Sequence, residues 1–111
     1  MCDKSRVQEI KNSNFLEETE NVSKKIELLA HPIRLSIIVL LNNFGDMCVC
    51  EVMEGLDIKQ STASYHLKAL VDADLVDMRY EARWTYYSLK SSKTLDIMLS
   101  VISSFNEGIL A

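Results

Sequence analysis

Residues 51–73, EVMEGLDIKQSTASYHLKALVDA, hold two short helical stretches with only a few residues between them. In the second, Ala63, Leu67, Leu70 and Val71 recur at helical spacing, while Ser64, Tyr65 and Lys68 fall on another face. Ser61 is a good N-cap for it, and Gly55 sits where the first helix should cap or turn. Two helices joined by so tight a turn have the layout of a helix-turn-helix. Whatever surrounds this unit has to bury its apolar side and leave the polar face of its second helix accessible.

The flanking segments fit that demand. Residues 5–30 read as helical, with Val7, Ile10, Phe15, Leu16, Val22, Ile26, Leu29 and Ala30 mainly at spacings of three, four and seven. His31-Pro32 interrupts them, because the residue before a proline is pushed out of the helical region, and Pro32 suits the first turn of a new helix. That next helix, IRLSIIVLLNNF, is apolar nearly all round and is expected to be buried. After the central pair the period changes. In VDMRYEARWTYYSLK, Val76, Met78 and Tyr80 alternate with Asp77, Arg79 and Glu81, which reads as a β-hairpin with Glu81-Ala82-Arg83 at its tip. SSKTLDIMLSVISSFNEGIL then forms an amphipathic helix with Leu95, Met98, Leu99, Ile102 and Phe105 on one face.

The expected fold is therefore mainly α with a small β-hairpin wing. A chain of 111 residues is expected to be one domain over 1–111, with residues 1–20 as an N-terminal arm or helix and 92–111 as a C-terminal dimerisation helix. One proline and three glycines are too few for a loop-rich or sandwich fold. The longest apolar run, near IIVLL, is too short to span a membrane, and the polar start MCDKSRVQEIKNSN is no secretory signal, so a cytoplasmic protein is expected. The net charge of −4 argues mildly against nucleic acid as a whole-chain average, although binding depends on one face. There is no βαβ pattern, Ser/His/Asp set or phosphate loop to support an enzyme.

Three cysteines, Cys2, Cys48 and Cys50, are an odd count that argues against a disulfide framework. The segment DMCVCEV raises three possibilities for its pair: core packing, a redox couple, or ligation of a soft metal. If residues 47–50 are extended, the two side chains point to the same side. If Cys50 lies near the start of a helix, the free N–H groups there favour its thiolate.

The stretches LLAHPIRLSIIVLL, MCVCEV and STASYHLKALVDADLVDMRYEARWTYYSL, in this order over about residues 22–90, together resemble the ArsR/SmtB family of winged-helix repressors. The likeness rests on a His-Pro-x-Arg break, a Ser-x-x-Ser-x-His-Leu-x-x-Leu recognition helix and a hairpin closing in Tyr-Tyr-Ser-Leu. The resemblance implies a homodimer that binds double-stranded operator DNA without a cofactor and releases it when an inducer binds.

On the recognition helix, Gln60 and Ser64 are candidates for base edges, and Lys59, Ser61, Thr62 and Lys68 for phosphates. Tyr65 and His66 are further DNA-contact candidates on the reading face of the same helix, and the wing offers Arg79 and Arg83 to phosphates or a minor groove. Trp84 and Tyr86 are expected to pack the wing. With Asp72, Asp74 and Asp77 near this face, binding should be salt-sensitive and of moderate strength.

Met-Cys-Val-Cys-Glu-Val is also similar to the Leu-Cys-Val-Cys-Asp-Leu box that holds the thiolate ligands of the family's arsenic and cadmium/lead sensors. The resemblance implies Cys48 and Cys50 as metal ligands. Met53 stands where some arsenic sensors have a third cysteine, and a thioether is a poorer ligand. Another family pattern draws a thiolate from the N-terminal arm, a role Cys2 can fill. Three sulfurs suit arsenic(III) or antimony(III), whereas a four-thiolate cadmium or lead site is one ligand short. The last helix has Asp96 and Glu107 but no histidine, so the family's zinc or nickel site there is not expected. A thiol redox repressor using the same cysteines is the nearest rival. An organic inducer is a further one, and a small thiol-disulfide enzyme a remote one.

Overall fold

A computed structural model describes residues 2–111 of the chain, which fall into two units, one ending at His31 and one spanning Pro32–Ala111. The expected helix over residues 5–30 is two helices, α1 (Lys4–Asn12) and α2 (Phe15–Leu29). Asp3 caps α1: its Oδ1 accepts from the N–H groups of Ser5 (3.0 Å) and Arg6 (3.1 Å). Those bonds, the one from Arg6 first, hold the Asp3 carboxyl below the ordinary aspartate value. The break comes at Ser13-Asn14, where Asn14 adopts the left-handed conformation (φ 49°) that asparagine tolerates better than most residues. No residue of α1 or α2 is buried.

In the second unit, α3 (Pro32–Phe44) begins at the proline as expected and supplies Ile37 and Ile38, both fully buried, and Leu41. α4 (Val49–Leu56) and α5 (Gln60–Asp72) form the helix-turn-helix. Val52 of α4 and Ala63, Leu67 and Leu70 of α5 join the α3 residues in the core, with Leu75, Val76 and Leu95. Each large apolar side chain removed from water here contributes about 1.5–3 kcal/mol.

The turn between the helices departs from expectation. Gly55 lies inside α4, and Asp57 takes the left-handed turn position (φ 55°). The Asp57 and Ile58 N–H groups then close back on the carbonyls of Glu54 and Met53. α5 starts before Ser61, with Lys59 as its N-cap.

The wing is β2 (Val76–Glu81) and β3 (Trp84–Leu89), antiparallel with Glu81 opposite Trp84, so Ala82-Arg83 alone make the turn. A two-residue strand that the sequence left unassigned, β1 (Met47–Cys48), pairs with β3 and completes a sheet of order β1-β3-β2. The last helix, α6 (Lys93–Phe105), stops short of the expected 92–111 span. Its tail bonds to α3 instead: Asn43 Nδ2 donates to the Ile109 carbonyl, and the Ala111 N–H to Asn43 Oδ1. Leu95 is buried and Met98, Leu99 and Ile102 are half-buried, and the expected face ends at Phe105. Phe105 is 87% exposed and lines up with exposed Ile97 and Val101 along a second apolar stripe. No single helix among the described residues is long and apolar enough to cross a membrane.

Candidate nucleic-acid interface and thiol site

α5 packs on α3 and α4 through its apolar side, which sets what its other side presents. Gln60, Ser61, Ser64, Tyr65 and Lys68 are exposed, as is Lys59 at the N-cap; Thr62 is half-buried. His66 is turned the other way. It is only 6% exposed, and its Nδ1 accepts a 3.0 Å hydrogen bond from Arg34 Nε. The helical period explains the difference from its expected place on the reading face: His66 lies three residues after Ala63 and four before Leu70, both fully buried.

On the wing, Arg79 and Arg83 are exposed. Arg79 is engaged: Nη1 donates to an Asp46 carboxylate oxygen, Nε to Glu81 (3.4 Å), and the guanidinium lies 5.2 Å from the Tyr86 ring centroid. The Asp46 bond raises its pKa further above the ordinary arginine value. Lys68 likewise pairs with Asp72 one turn along (3.0 Å, both exposed). Lys59 and Arg83 have no carboxylate partner among the described residues. Tyr86 is half-buried in the wing, whereas Trp84, expected to pack there, is 51% exposed at the hairpin end.

The three cysteines are all free thiols, Cys2 and Cys50 exposed and Cys48 partly so. Each stands at the start of a helix. Cys2 precedes Asp3, the N-cap of α1; Cys48 is the N-cap of α4; Cys50 is the second residue of α4. The alternative of an extended run over residues 47–50 does not hold, since the strand ends at Cys48. Glu51 steadies this end by accepting the Cys48 N–H at Oε1 (3.1 Å). Among the described residues no three His, Cys, Asp or Glu side chains converge as a ready metal-binding group. The start of α4 thus carries two free thiols, Cys48 and Cys50.

Arg34, Asp46 and Glu51 are the participants that sequence reasoning missed. Arg34 stood inside the His-Pro-x-Arg break without a role attached, and nothing local pointed to Asp46.

The comparisons with known proteins agree with this architecture. The profile described as "Bacterial regulatory protein, arsR family" matches residues 31–78. The arsenical resistance operon repressor of Bacillus subtilis (strain 168) is 39% identical over 70 residues, covering 63% of this chain and 67% of that protein. The cadmium resistance transcriptional regulatory protein CadC of Listeria innocua is 32% identical over 101 residues, 91% of this chain and 82% of that one. Among solved structures, NolR from Sinorhizobium fredii superposes with a TM-score of 0.71 at 28% identity, over 89% of this chain and 95% of that one. The chain belongs to the arsR family of bacterial regulatory proteins, and is a winged helix-turn-helix transcriptional regulator rather than an enzyme.

Proposed function

We propose that this regulator is a cytoplasmic homodimeric repressor. It holds operator DNA through α5 and the wing without a cofactor, and lets go when a thiophilic inducer, arsenite or antimonite foremost, is held by Cys48, Cys50 and Cys2. The observation that carries this reading is the position of the thiol pair. Cys48 and Cys50 stand on the first turn of α4, and α4 packs directly on α5. Relatives named for arsenical and cadmium resistance support the choice of a thiophilic inducer.

The donor set fits such an ion in kind: soft thiolates select soft cations. In number it fits a three-sulfur ion only when Cys2 joins the pair. The inducer's contribution is to bond several sulfurs at once. The rest falls to the chain. Drawing the Cys48 and Cys50 sulfurs toward a common point reorients the first turn of α4, where the Cys48 N–H is held by Glu51. Val52, fully buried on the same turn, passes that movement into the core beneath α5. A coupling of roughly 1–3 kcal/mol between the two sites is the usual scale for such a switch.

The test is fluorescence anisotropy of the fully reduced protein on duplex DNA from the promoter of its own gene, at fixed salt, with arsenite titrated in. Release at near-stoichiometric arsenite is expected. Tight binding that arsenite leaves undisturbed, with release by an oxidant instead, would transfer the role of the same cysteines to redox sensing.

A further inference from the structure

Arg34, in the first turn of α3, touches two neighbouring side chains of α5 that point in different directions. Its Nε donates to the Nδ1 of buried His66 at 3.0 Å. Its guanidinium carbon lies 5.8 Å from the ring centroid of Tyr65, which is 65% exposed on the reading side. The Tyr65 and His66 rings meet edge to face, with centroids 5.1 Å apart and planes at 77°. A guanidinium only donates, so the Nδ1 facing it carries a lone pair, and His66 is the neutral imidazole with its proton on Nε2. Side chains one residue apart on a helix diverge by about 100°. A single group that holds both therefore fixes the rotation of the helix about its own axis.

We infer that Arg34 is a positioning residue for DNA recognition: through His66 it sets the rotation of α5 on α3, and through the cation–π contact of its guanidinium it sets the Tyr65 ring on the reading surface. This rests on α5 being the helix that meets DNA, and not on the thiol switch. The planar fork is what does both tasks. A lysine at position 34 would keep the charge but would lose the directed Nε–H and the broad guanidinium beside the ring. Base readout depends on geometry, while phosphate attraction tolerates small rotations. Loss of the clamp should therefore reduce specific binding and spare non-specific binding.

The experiment uses the reduced full-length chain, a promoter duplex from its own gene and a scrambled duplex of the same composition. Arg34→Lys is expected to weaken promoter binding about tenfold, with binding to the scrambled duplex unchanged within about twofold. The slope of log affinity against log salt should stay as in the unmodified protein. In a double-mutant cycle, Tyr65→Ala should remove part of the cost of Arg34→Lys on the promoter duplex and leave the part carried through His66. Equal losses on both duplexes, with the salt slope reduced by about one, would make Arg34 a direct phosphate contact and overturn the inference. Unchanged promoter affinity would overturn it too. A measurement needing no substitution stands beside these: the long-range ¹H–¹⁵N spectrum of His66 should show a neutral ring protonated at Nε2. A proton on Nδ1 would refute the clamp. If the unmodified protein shows no promoter preference, this inference and the repressor reading both fall, whereas failure of arsenite to release DNA leaves this one standing.

Discussion

Cys48 stands directly opposite Tyr86 across the β1–β3 ladder. The same residue is the N-cap of α4. One thiol-bearing position thus belongs to the wing sheet through its strand and to the helix-turn-helix through its helix. The link runs further, because the Tyr86 ring lies beneath the guanidinium of Arg79, and Arg79 is bound to Asp46, two residues before Cys48. A displacement at Cys48 therefore has two short routes to the proposed DNA surface: forward along α4 to α5, and sideways across the sheet to the wing.

Asp46 holds Arg79, a wing cation that the proposed DNA complex would otherwise present to phosphate. Both partners of the Asp46–Arg79 pair are about half exposed, so solvent screens the pair and it adds little to stability. Asp46→Asn is expected to leave the melting temperature nearly unchanged and to tighten binding to any duplex about two- to fivefold at low salt. The salt slope should steepen by up to about one unit. Anisotropy titrations at several salt concentrations measure both. A weaker affinity on every duplex would mean that Asp46 aims Arg79 at DNA rather than withholding it.

Cys48→Ser separates the structural task of this position from its proposed chemical one. Serine is a favoured N-cap, worth about 0.5–2 kcal/mol over alanine, and the backbone N–H that donates to Glu51 is untouched. The variant should fold at least as stably and bind the promoter duplex as the parent does. Arsenite should no longer release it. Denaturation midpoints and arsenite titrations report the two halves separately, and normal release from the serine variant would remove Cys48 from the site.

The helix-turn-helix and the wing were legible because their signals are local. The spacing of Ala63, Leu67 and Leu70, and the alternation from Val76 to Tyr80, are readable within a few residues. Breaks and caps were less so. Asn14 and Asp57 take left-handed conformations that a glycine would have announced and that Asn and Asp adopt without announcement. β1 is two residues long, too short to show a period. The contacts that organise the site were the least legible. Arg34 and His66 are 32 residues apart, and Asp46 and Arg79 33 apart. No local pattern encodes such pairs. His66 looked like part of the reading face because it is polar, yet burial with an arginine partner satisfies it equally well.

The wing turn holds a strained residue. Ala82 has φ 55°, a region where a Cβ meets the neighbouring carbonyl at a cost of about 1 kcal/mol. Glycine adopts that conformation freely but loses more backbone entropy on folding, which offsets part of the gain. Ala82→Gly should raise stability by about 0.5–1 kcal/mol, read as a higher urea midpoint with an unchanged m-value. A lower midpoint would show that the turn's rigidity outweighs its strain.

The outward stripe of α6 sets the last expectation. Ile97, Val101 and Phe105 are 54%, 48% and 87% exposed at successive intervals of four residues, so they form one continuous apolar row. In a two-fold dimer each such side chain is buried twice. Removing Val101 from that interface would cost about 3 kcal/mol over both copies, or roughly a hundredfold in the dimer dissociation constant. A buried glutamate would add a desolvation cost. Val101→Glu is therefore expected to sediment as a monomer at concentrations where the parent is a dimer, and to lose promoter affinity, because a monomer engages one half-site. Its helix content should not change, since the side chain is half exposed within the protomer. A variant that still sediments as a dimer would place the interface elsewhere on the chain, with the exposed apolar residues of α1 and α2, Ile10 and Phe15 among them, as the next surface to alter.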